Sequence, residues 1–496
     1  MRIILTNEQK VKEKIGLVVE PVFIQAKEIL PGFFGRSGQV YFQHHSLRPK
    51  LIVGLGQKNK LNLEKLRRLG AVIAVEAKKL RQTKIFLTLE FLAQQEEDKI
   101  LVLVGALVEG LILADYQFLK YKTKEAKEVS LYGIKEASLI LVDKLSRTKI
   151  KRQLNQIIKR SKTITAGVYL ARDLVNEPAS SLGPKDLVSQ ARQFGRQFKD
   201  IKVKIYSPIE LKKAGLAGIL AVAKGSDQPA YLIELKYEPR GASANIKILP
   251  KIALVGKGLT FDAGGISLKP AESMENMKID MAGAASILGL FSILTILKPK
   301  ANIYGILGVC ENMPSGKAVK PGDIITAYNK KTIEIKNTDA EGRIVLADLL
   351  SYTESRLKPD VIIDLATLTG ACVAALGEQI AGAFSKNKNL IRQIKVASQL
   401  SGERVWPMPM PADYQELIKS QIADLANISS RRWGGAITAA LFLKQFIKST
   451  PWLHLDIAGP AWEEVGVNPY IPKGATGFGV RLLAEFVRLN ENENNI

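Results

Sequence analysis

Four carboxylates, Asp262, Asp280, Asp339 and Glu341, sit where a strand turns into a loop or a loop enters a helix. Asp262 lies in Val255-Gly256-Lys257-Gly258-Leu259-Thr260-Phe261-Asp262-Ala263-Gly264-Gly265, which reads as a strand running into a Gly-rich loop. Neither the P-loop nor the dinucleotide-binding spacing is present. An acid in such a loop repels a pyrophosphate and attracts a cation. Lys269, Glu272, Glu275 and Lys278 follow, and Asp280 stands directly before the small-residue helix start Met281-Ala282-Gly283-Ala284-Ala285. Asp339 and Glu341 belong to Asn337-Thr338-Asp339-Ala340-Glu341-Gly342-Arg343, where Asp-x-Glu in an extended turn can aim both side chains at one centre. Carboxylates in these places are either turn and cap residues or ligands of a hard metal ion. The three histidines, His44, His45 and His454, exclude a His-rich zinc site. Two cysteines, Cys310 and Cys372, exclude a disulfide framework and a Cys-rich zinc site. Any metal here is held mainly by oxygen.

The elements that must position these residues alternate between strand and helix. Ile252 to Val255, Asn302 to Val309, Val361 to Ala366 and Trp452 to Ile457 read as buried strands, and Ala282 to Leu297 and Leu346 to Arg356 as helices. Earlier, Ile15 to Phe23, Leu51 to Gly54, Ile85 to Leu92 and Ile100 to Val108 read as strands, and Leu61 to Leu80 as a helix. Ile164 to Val175 is helical until Asn176-Glu177-Pro178 stops it. The expected architecture is α/β: an N-terminal α/β domain over 1–165, ending in a basic linker helix near 144–165, and a larger catalytic domain over 166–496 with a central mixed sheet flanked by helices. The tail Asn490 to Ile496 is expected to fray.

Composition narrows the function classes. The 496 residues are 46% hydrophobic and 24% charged, an ordinary globular balance that excludes wholesale disorder. No window reaches the ~18 consecutive apolar residues of a membrane helix. The first residues lack a signal-peptide pattern, so a cytoplasmic protein without membrane partners is expected. Net charge is +23, and residues 1–200 hold 36 Lys/Arg against 20 Asp/Glu. Lys144 to Lys162 carries eight basic residues and no acid, which reads as a solvated helix face; the alternative is a DNA-binding surface. His454, in an apolar run, reads as a satisfied core histidine, and Cys310 and Cys372 as inert buried thiols. Trp406-Pro407-Met408-Pro409-Met410 reads either as an edge of a substrate entrance or as a subunit contact.

Asn337 to Arg343, preceded by VGKGLTFDAGGISLKP and MKIDMAGAA, resembles the leucyl (cytosol) aminopeptidase family of two-metal exopeptidases. The resemblance continues through Arg172 to Pro178, Cys310 to Pro314, Asp364 to Cys372, Ala436 to Ala440 and His454 to Gly459, covering about residues 165 to 490 in the family's order. It implies a metal-dependent aminopeptidase that cleaves the N-terminal peptide bond, with Leu and other apolar residues preferred, by a hydroxide bridging two Zn or Mn ions. By resemblance, Lys257, Asp262, Asp280 and Glu341 hold the tighter metal, and Asp262, Asp339 and Glu341 the exchangeable one. Lys257 ligates only as the neutral amine, so bound metals must lower its pKa. Lys269 is implied to stabilise the oxyanion, and Arg343 to hold a bicarbonate that relays a proton. Met277, Asn337, Thr367 and Gly370 are implied to line the side-chain pocket. Peptide substrates and a homohexamer complete what the resemblance implies.

Overall fold

The computed structural model describes residues 1–11, 14–44, 48–125, 133–239 and 249–491, so 492–496 of the expected fraying tail lie outside the described residues. The chain divides into two compact units: Met1–Thr165 with Val465–Lys473, and Ala166–Glu464 with Gly474–Ile496.

The first unit is built on a six-stranded sheet of β1 (Arg2–Asn7), β2 (Leu17–Phe23), β3 (Val40–Gln43), β4 (Lys50–Gly56), β5 (Lys84–Thr88) and β6 (Glu136–Leu141), in the order β1-β6-β5-β2-β4-β3. All neighbours are parallel except β3 and β4. β4, parallel to β2 and antiparallel to the edge strand β3, is buried along almost its whole length. Helix α1 (Leu63–Lys79) begins where the Asn62 side chain accepts a hydrogen bond from the Lys65 amide (2.9 Å).

The run Ile100 to Val108, expected as a strand, is instead the middle of helix α2 (Glu97–Leu113). Apolar residues all round give no period to separate the two states, and length decides: 17 residues suit a buried helix, not a strand of five or six. Its one interior acid, Glu109, is paired with buried Arg67 of α1 at 2.8 Å. The expected strand Ile85 to Leu92 stops at Thr88, and Glu90–Leu92 forms a short 3₁₀ turn. The basic stretch is helical, mostly within α3 (Thr148–Asn176), with Lys149, Lys151, Arg152, Lys159 and Lys162 exposed.

The second unit holds an eight-stranded mixed sheet. Its strands are β7 (Ile201–Tyr206), β8 (Tyr231–Tyr237), β9 (Lys251–Asp262), β10 (Asn302–Asn312), β13 (Val361–Ala366), β14 (Ile380–Phe384), β15 (Arg404–Pro407) and β17 (Trp452–Asp456), ordered β15-β14-β17-β13-β9-β10-β8-β7. The small sheet β11 (Ile324–Thr326), β12 (Thr332–Glu334) and β16 (Leu425–Ala426) lies outside it. β10, β9, β13 and β17 run parallel, so the carboxyl ends of β9, β10 and β13 open on one side, where ligands bind in open α/β sheets. The helices that matter for the site are α4 (Ala217–Ala223), α5 (Ala282–Leu297), α6 (Gly342–Leu357) and α7 (Gly370–Leu376). Apolar α5 is buried from Ala282 to Phe291, a core element.

The expected Gly-rich loop after Val255 is not a loop. β9 runs to Asp262, and its glycines serve packing: a Cβ at Gly256 would lie 2.9 Å from the Ala284 Cα of α5. Side chains alternate along the strand, so Gly256 and Gly258 face α5 while Val255 and Leu259 join the apolar cluster containing Ile344 and Val345 of α6. Lys257, in phase with Val255, is thereby aimed at the start of α6.

Asp348 ties α6 to its neighbours. Fully buried, it accepts the Gly218 (2.6 Å) and Ile219 (3.3 Å) amides on Oδ2 and the Tyr328 amide (2.8 Å) on Oδ1. Burial, only partly offset by these donors, pushes its carboxyl up to about 7. The folded state therefore holds the proton more tightly than the unfolded chain, and stability falls as pH rises from the ordinary carboxylate range near ~4 to about 7. Asp348→Asn places an NH₂ against backbone donors and is expected to destabilise by about 1–3 kcal/mol. Because the variant does not titrate, its deficit in denaturant melts should shrink between pH 5 and pH 8; a deficit constant with pH would show that Asp348 is already ionised at pH 5 in the folded protein.

Candidate metal centre

The sequence-predicted ligands converge from three segments. β9 contributes Lys257 from its interior and Asp262 from its last residue, and a 3₁₀ turn, Met277–Met281, contributes Asp280 just ahead of α5. The loop between β12 and α6 contributes Asp339 and Glu341, the latter at the N-cap position of α6. Acids just before the N-termini of two helices gain from the partial positive charge there. Oxygens of Asp262, Asp280 and Glu341 lie within 4.8 Å of one another, and all three residues are buried.

Two ammonium groups thread this cluster. The Lys257 Nζ is 2.7 Å from Asp280 Oδ1 and 2.8 Å from Glu341 Oε1, and donates to the Thr367 carbonyl at 3.0 Å. The Lys269 Nζ is 2.9 Å from Asp262 Oδ2 and forms an ion pair with Asp339, bringing the fourth carboxylate in. Gly342 is required by Lys257: a Cβ there would lie 2.6 Å from the Nζ. Asp262 is fixed further by the Gly264 amide (2.9 Å) and the Asn312 side-chain amide (2.8 Å).

Burial raises the carboxyls of Asp280, Glu341 and Asp339, with Asp262 adding repulsion at each. Burial works against the charge on Lys257, yet Asp280, Glu341 and Asp262 outweigh it and hold this lysine above its ordinary range. That is opposite in sign to the lowered value that ligation requires, so the protein's own groups do not neutralise Lys257. Only cations beside it reverse the sign. Lys269 is likewise raised against burial, by Asp262 and Asp339, in keeping with a permanent cation. Buried Arg343 is pulled down to about 10 by desolvation; its Nη1 donates to the Asn427 carbonyl (2.8 Å) and its Nε has no partner among the described residues.

The donor set fits divalent cations. Asp280 Oδ2 and Glu341 Oε2 are buried without a hydrogen-bond partner among the described residues, an expensive state for carboxylate oxygens unless a cation meets them. Hard oxygen donors with one nitrogen suit Zn or Mn.

The expected pocket residues divide. The Thr367 hydroxyl donates to Asp280 Oδ1 (2.8 Å) and so is committed to a carboxylate, whereas the Asn337 Oδ1 accepts from the Asp339 backbone amide (2.7 Å) and holds the loop. Met277 is half-buried in the Asp280 turn, and Gly370 is exposed at the first position of α7. His454 is a core histidine as expected, fully buried with Nδ1 at 2.6 Å from Asp364, and its Nε2 has no partner among the described residues. Both thiols are buried and raised by desolvation, Cys372 to about 12. Trp406 is exposed on β15, while Met408 and Met410 pack on the cluster of Cys372, Phe384, Ala436 and Ala440.

Sequence reasoning missed two anchors of the site. Asp456 accepts the Leu368 (3.2 Å) and Thr369 (3.4 Å) amides and the Thr369 hydroxyl (2.7 Å), fixing the loop that carries Thr367. Asp456 stood within a motif but carried no assigned role; Asn427 stood in none.

Comparison with known proteins agrees with this geometry. The cytosol aminopeptidase family's catalytic domain matches residues 169–484 and its N-terminal domain residues 31–125. The "Probable cytosol aminopeptidase" of Persephonella marina is 44% identical, over 88% of this chain and 84% of that protein. The one of Clostridium tetani is 41% identical over 97% and 95%. Among solved structures, the bottromycin maturation enzyme BotP in complex with Mn superposes with a TM-score of 0.86 at 31% identity, covering 97% of this chain and 100% of that one. A tomato leucine aminopeptidase mutant gives 0.86 at 33%, covering 98% and 96%. The chain belongs to the cytosol aminopeptidase family and is a metal-dependent aminopeptidase.

Proposed function

We propose that this enzyme releases N-terminal residues, Leu and other apolar residues foremost, from peptides at a two-metal site. Lys257, Asp262, Asp280 and Glu341 would hold the tighter ion, and Asp262, Asp339 and Glu341 the exchangeable one, with Zn or Mn the fitting metals. The observation that carries the reading is the buried Asp262–Asp280–Glu341 cluster, with orphan oxygens on Asp280 and Glu341. When bound, two divalent ions supply Lewis acidity at the scissile carbonyl and lower the pKa of the attacking water.

The chain's own groups do the rest. Asp280 receives the substrate's free α-amine, which restricts cleavage to N-terminal residues. Lys269, oriented by Asp262 and Asp339, donates to the carbonyl oxygen as it becomes an oxyanion. Arg343, buried with an Nε unpartnered among the described residues, would hold a bicarbonate ion, whose chemistry would be to carry the proton to the leaving amine. Met277 supplies an apolar wall that suits Leu. A cytoplasmic homohexamer belongs to the same reading, and the relatives' name, cytosol aminopeptidase, supports the compartment.

Chelated protein should not hydrolyse leucine p-nitroanilide, and reconstitution with Zn, Mn, Mg or Co should restore turnover, Mn or Co giving the highest rate. Full activity after elemental analysis shows both ions gone would refute the reading.

The two lysines should separate in the same assays. Lys257→Ala removes a ligand, so metal content and rate fall together. Lys269→Ala should keep two ions per subunit and lose about 10²–10³ in kcat, the cost of one oxyanion donor. If Lys269→Ala loses metal while Lys257→Ala retains it, the assigned roles are reversed.

A further inference from the structure

Asn427 follows the last residue of β16 and is fully buried. Its amide continues the parallel ladder by donating to the Glu334 carbonyl (3.0 Å). Beyond that point the two backbones part, and the side chain takes over the pairing. Its Oδ1 accepts the Lys336 (2.8 Å) and Asn337 (3.3 Å) amides, and its Nδ2 donates to the Asn337 (2.6 Å) and Ala340 (3.4 Å) carbonyls. Its main-chain carbonyl accepts from Arg343 Nη1 at 2.8 Å.

A carboxamide is the side-chain equivalent of a peptide group, with two acceptor positions and two donors. At Asn427 all four are used on the backbone of one loop. Asp lacks the donors, Leu has neither function, and Gln is a methylene longer. The loop so held runs from Lys336 to Ala340, between β12 and α6, and carries Asp339; Glu341 and Arg343 follow immediately. One residue therefore fixes the backbone on either side of a candidate ligand and orients the buried guanidinium two residues beyond the other.

We propose that Asn427 is a positioning residue for catalysis: it sets Asp339, Glu341 and Arg343 relative to Lys257, Asp262 and Asp280, which it does not touch. The inference rests on the metal and anion roles proposed above. It accounts for a buried, fully engaged amide in a segment without motif signal. Outer partners of this kind cost 10–100-fold in affinity or activity when removed.

The test uses the full-length holoenzyme with Asn427→Ala and the smaller change Asn427→Ser. Manganese titration should show the weaker of two sites losing 10–100-fold in affinity and the tighter one losing distinctly less, since the loop supplies Asp339 to the weaker site alone while Glu341 serves both. The kcat for leucine p-nitroanilide should fall 10–100-fold with little change in KM. In an Arg343→Ala background the same substitution should cost several-fold less, because part of its effect passes through that guanidinium. Should Asn427→Ala fail to fold, Asn427→Ser carries the same measurements. Equal weakening of both metal sites, or effects that multiply fully with Arg343→Ala, would mark a merely structural residue and overturn the inference. Wild type holding fewer than two ions would overturn the metal assignment instead, and the coupling to Arg343 would then decide Asn427.

Discussion

The structure is organised around the cost of burying Asp262, Asp280, Asp339 and Glu341 together. Three of the four are almost wholly removed from water, and oxygens of these three lie within 4.8 Å of one another. Like charges at such distances in a poorly polarisable interior repel strongly, and isolated carboxylates do not survive there ionised. Lys257, Lys269 and Arg343 are too few to balance four acids, and the raised carboxyls of Asp280, Glu341 and Asp339 express the shortfall. The donors around them do not close it either, because one oxygen each of Asp280 and Glu341 goes without a partner among the described residues. A site assembled at this cost is a site for cations.

Holding such a cluster in place against its own repulsion requires rigid supports, and the fold supplies them from below. Lys257 comes from the middle of a 12-residue central strand and so has no freedom of placement. The approach of α5 to that strand depends on Gly256 and on the small residues opening the helix, and the Asp280 turn inherits its position from that contact. Across the sheet, α6 is fastened by Asp348, and its first residue must be Gly342 to leave room for Lys257. Packing tolerances of tenths of an ångström are thereby passed on to the charges.

The four candidate carboxylates were legible in the sequence because they are acids in apolar flanks at element junctions, and the structure brings them together; Lys257, inside β9, and Lys269 took their roles from the family resemblance alone. Strands β10, β13 and β17 and helices α1 and α5 were legible from period and length. What could not be read has a common physical character. Helix α2 is apolar all round and offers no period, so Ile100 to Val108 passed for a strand. The glycines at 256 and 258 look like loop residues because their reason, the nearness of Ala284 and Val309, is tertiary. Asn427 and Asp456 act by hydrogen bonds to backbone some 87–91 residues away, and a backbone partner leaves no signature in side-chain pattern.

Lys257 shows how far electrostatics alone determines the meaning of a residue. Its Nζ has three acceptors: two carboxylates and the Thr367 carbonyl. As an ammonium it satisfies all three, and as an amine it keeps two hydrogens and gains a lone pair. The carbonyl is the one acceptor whose charge does not change, and its loop is pinned by Asp456, so it can retain a hydrogen in either state. The hydrogen given up must then be one directed at Asp280 or Glu341, and the lone pair that replaces it points at the carboxylates. Thr367 and Asp456 thus determine where the nitrogen's lone pair can aim, while the cations that balance the carboxylates determine whether it exists.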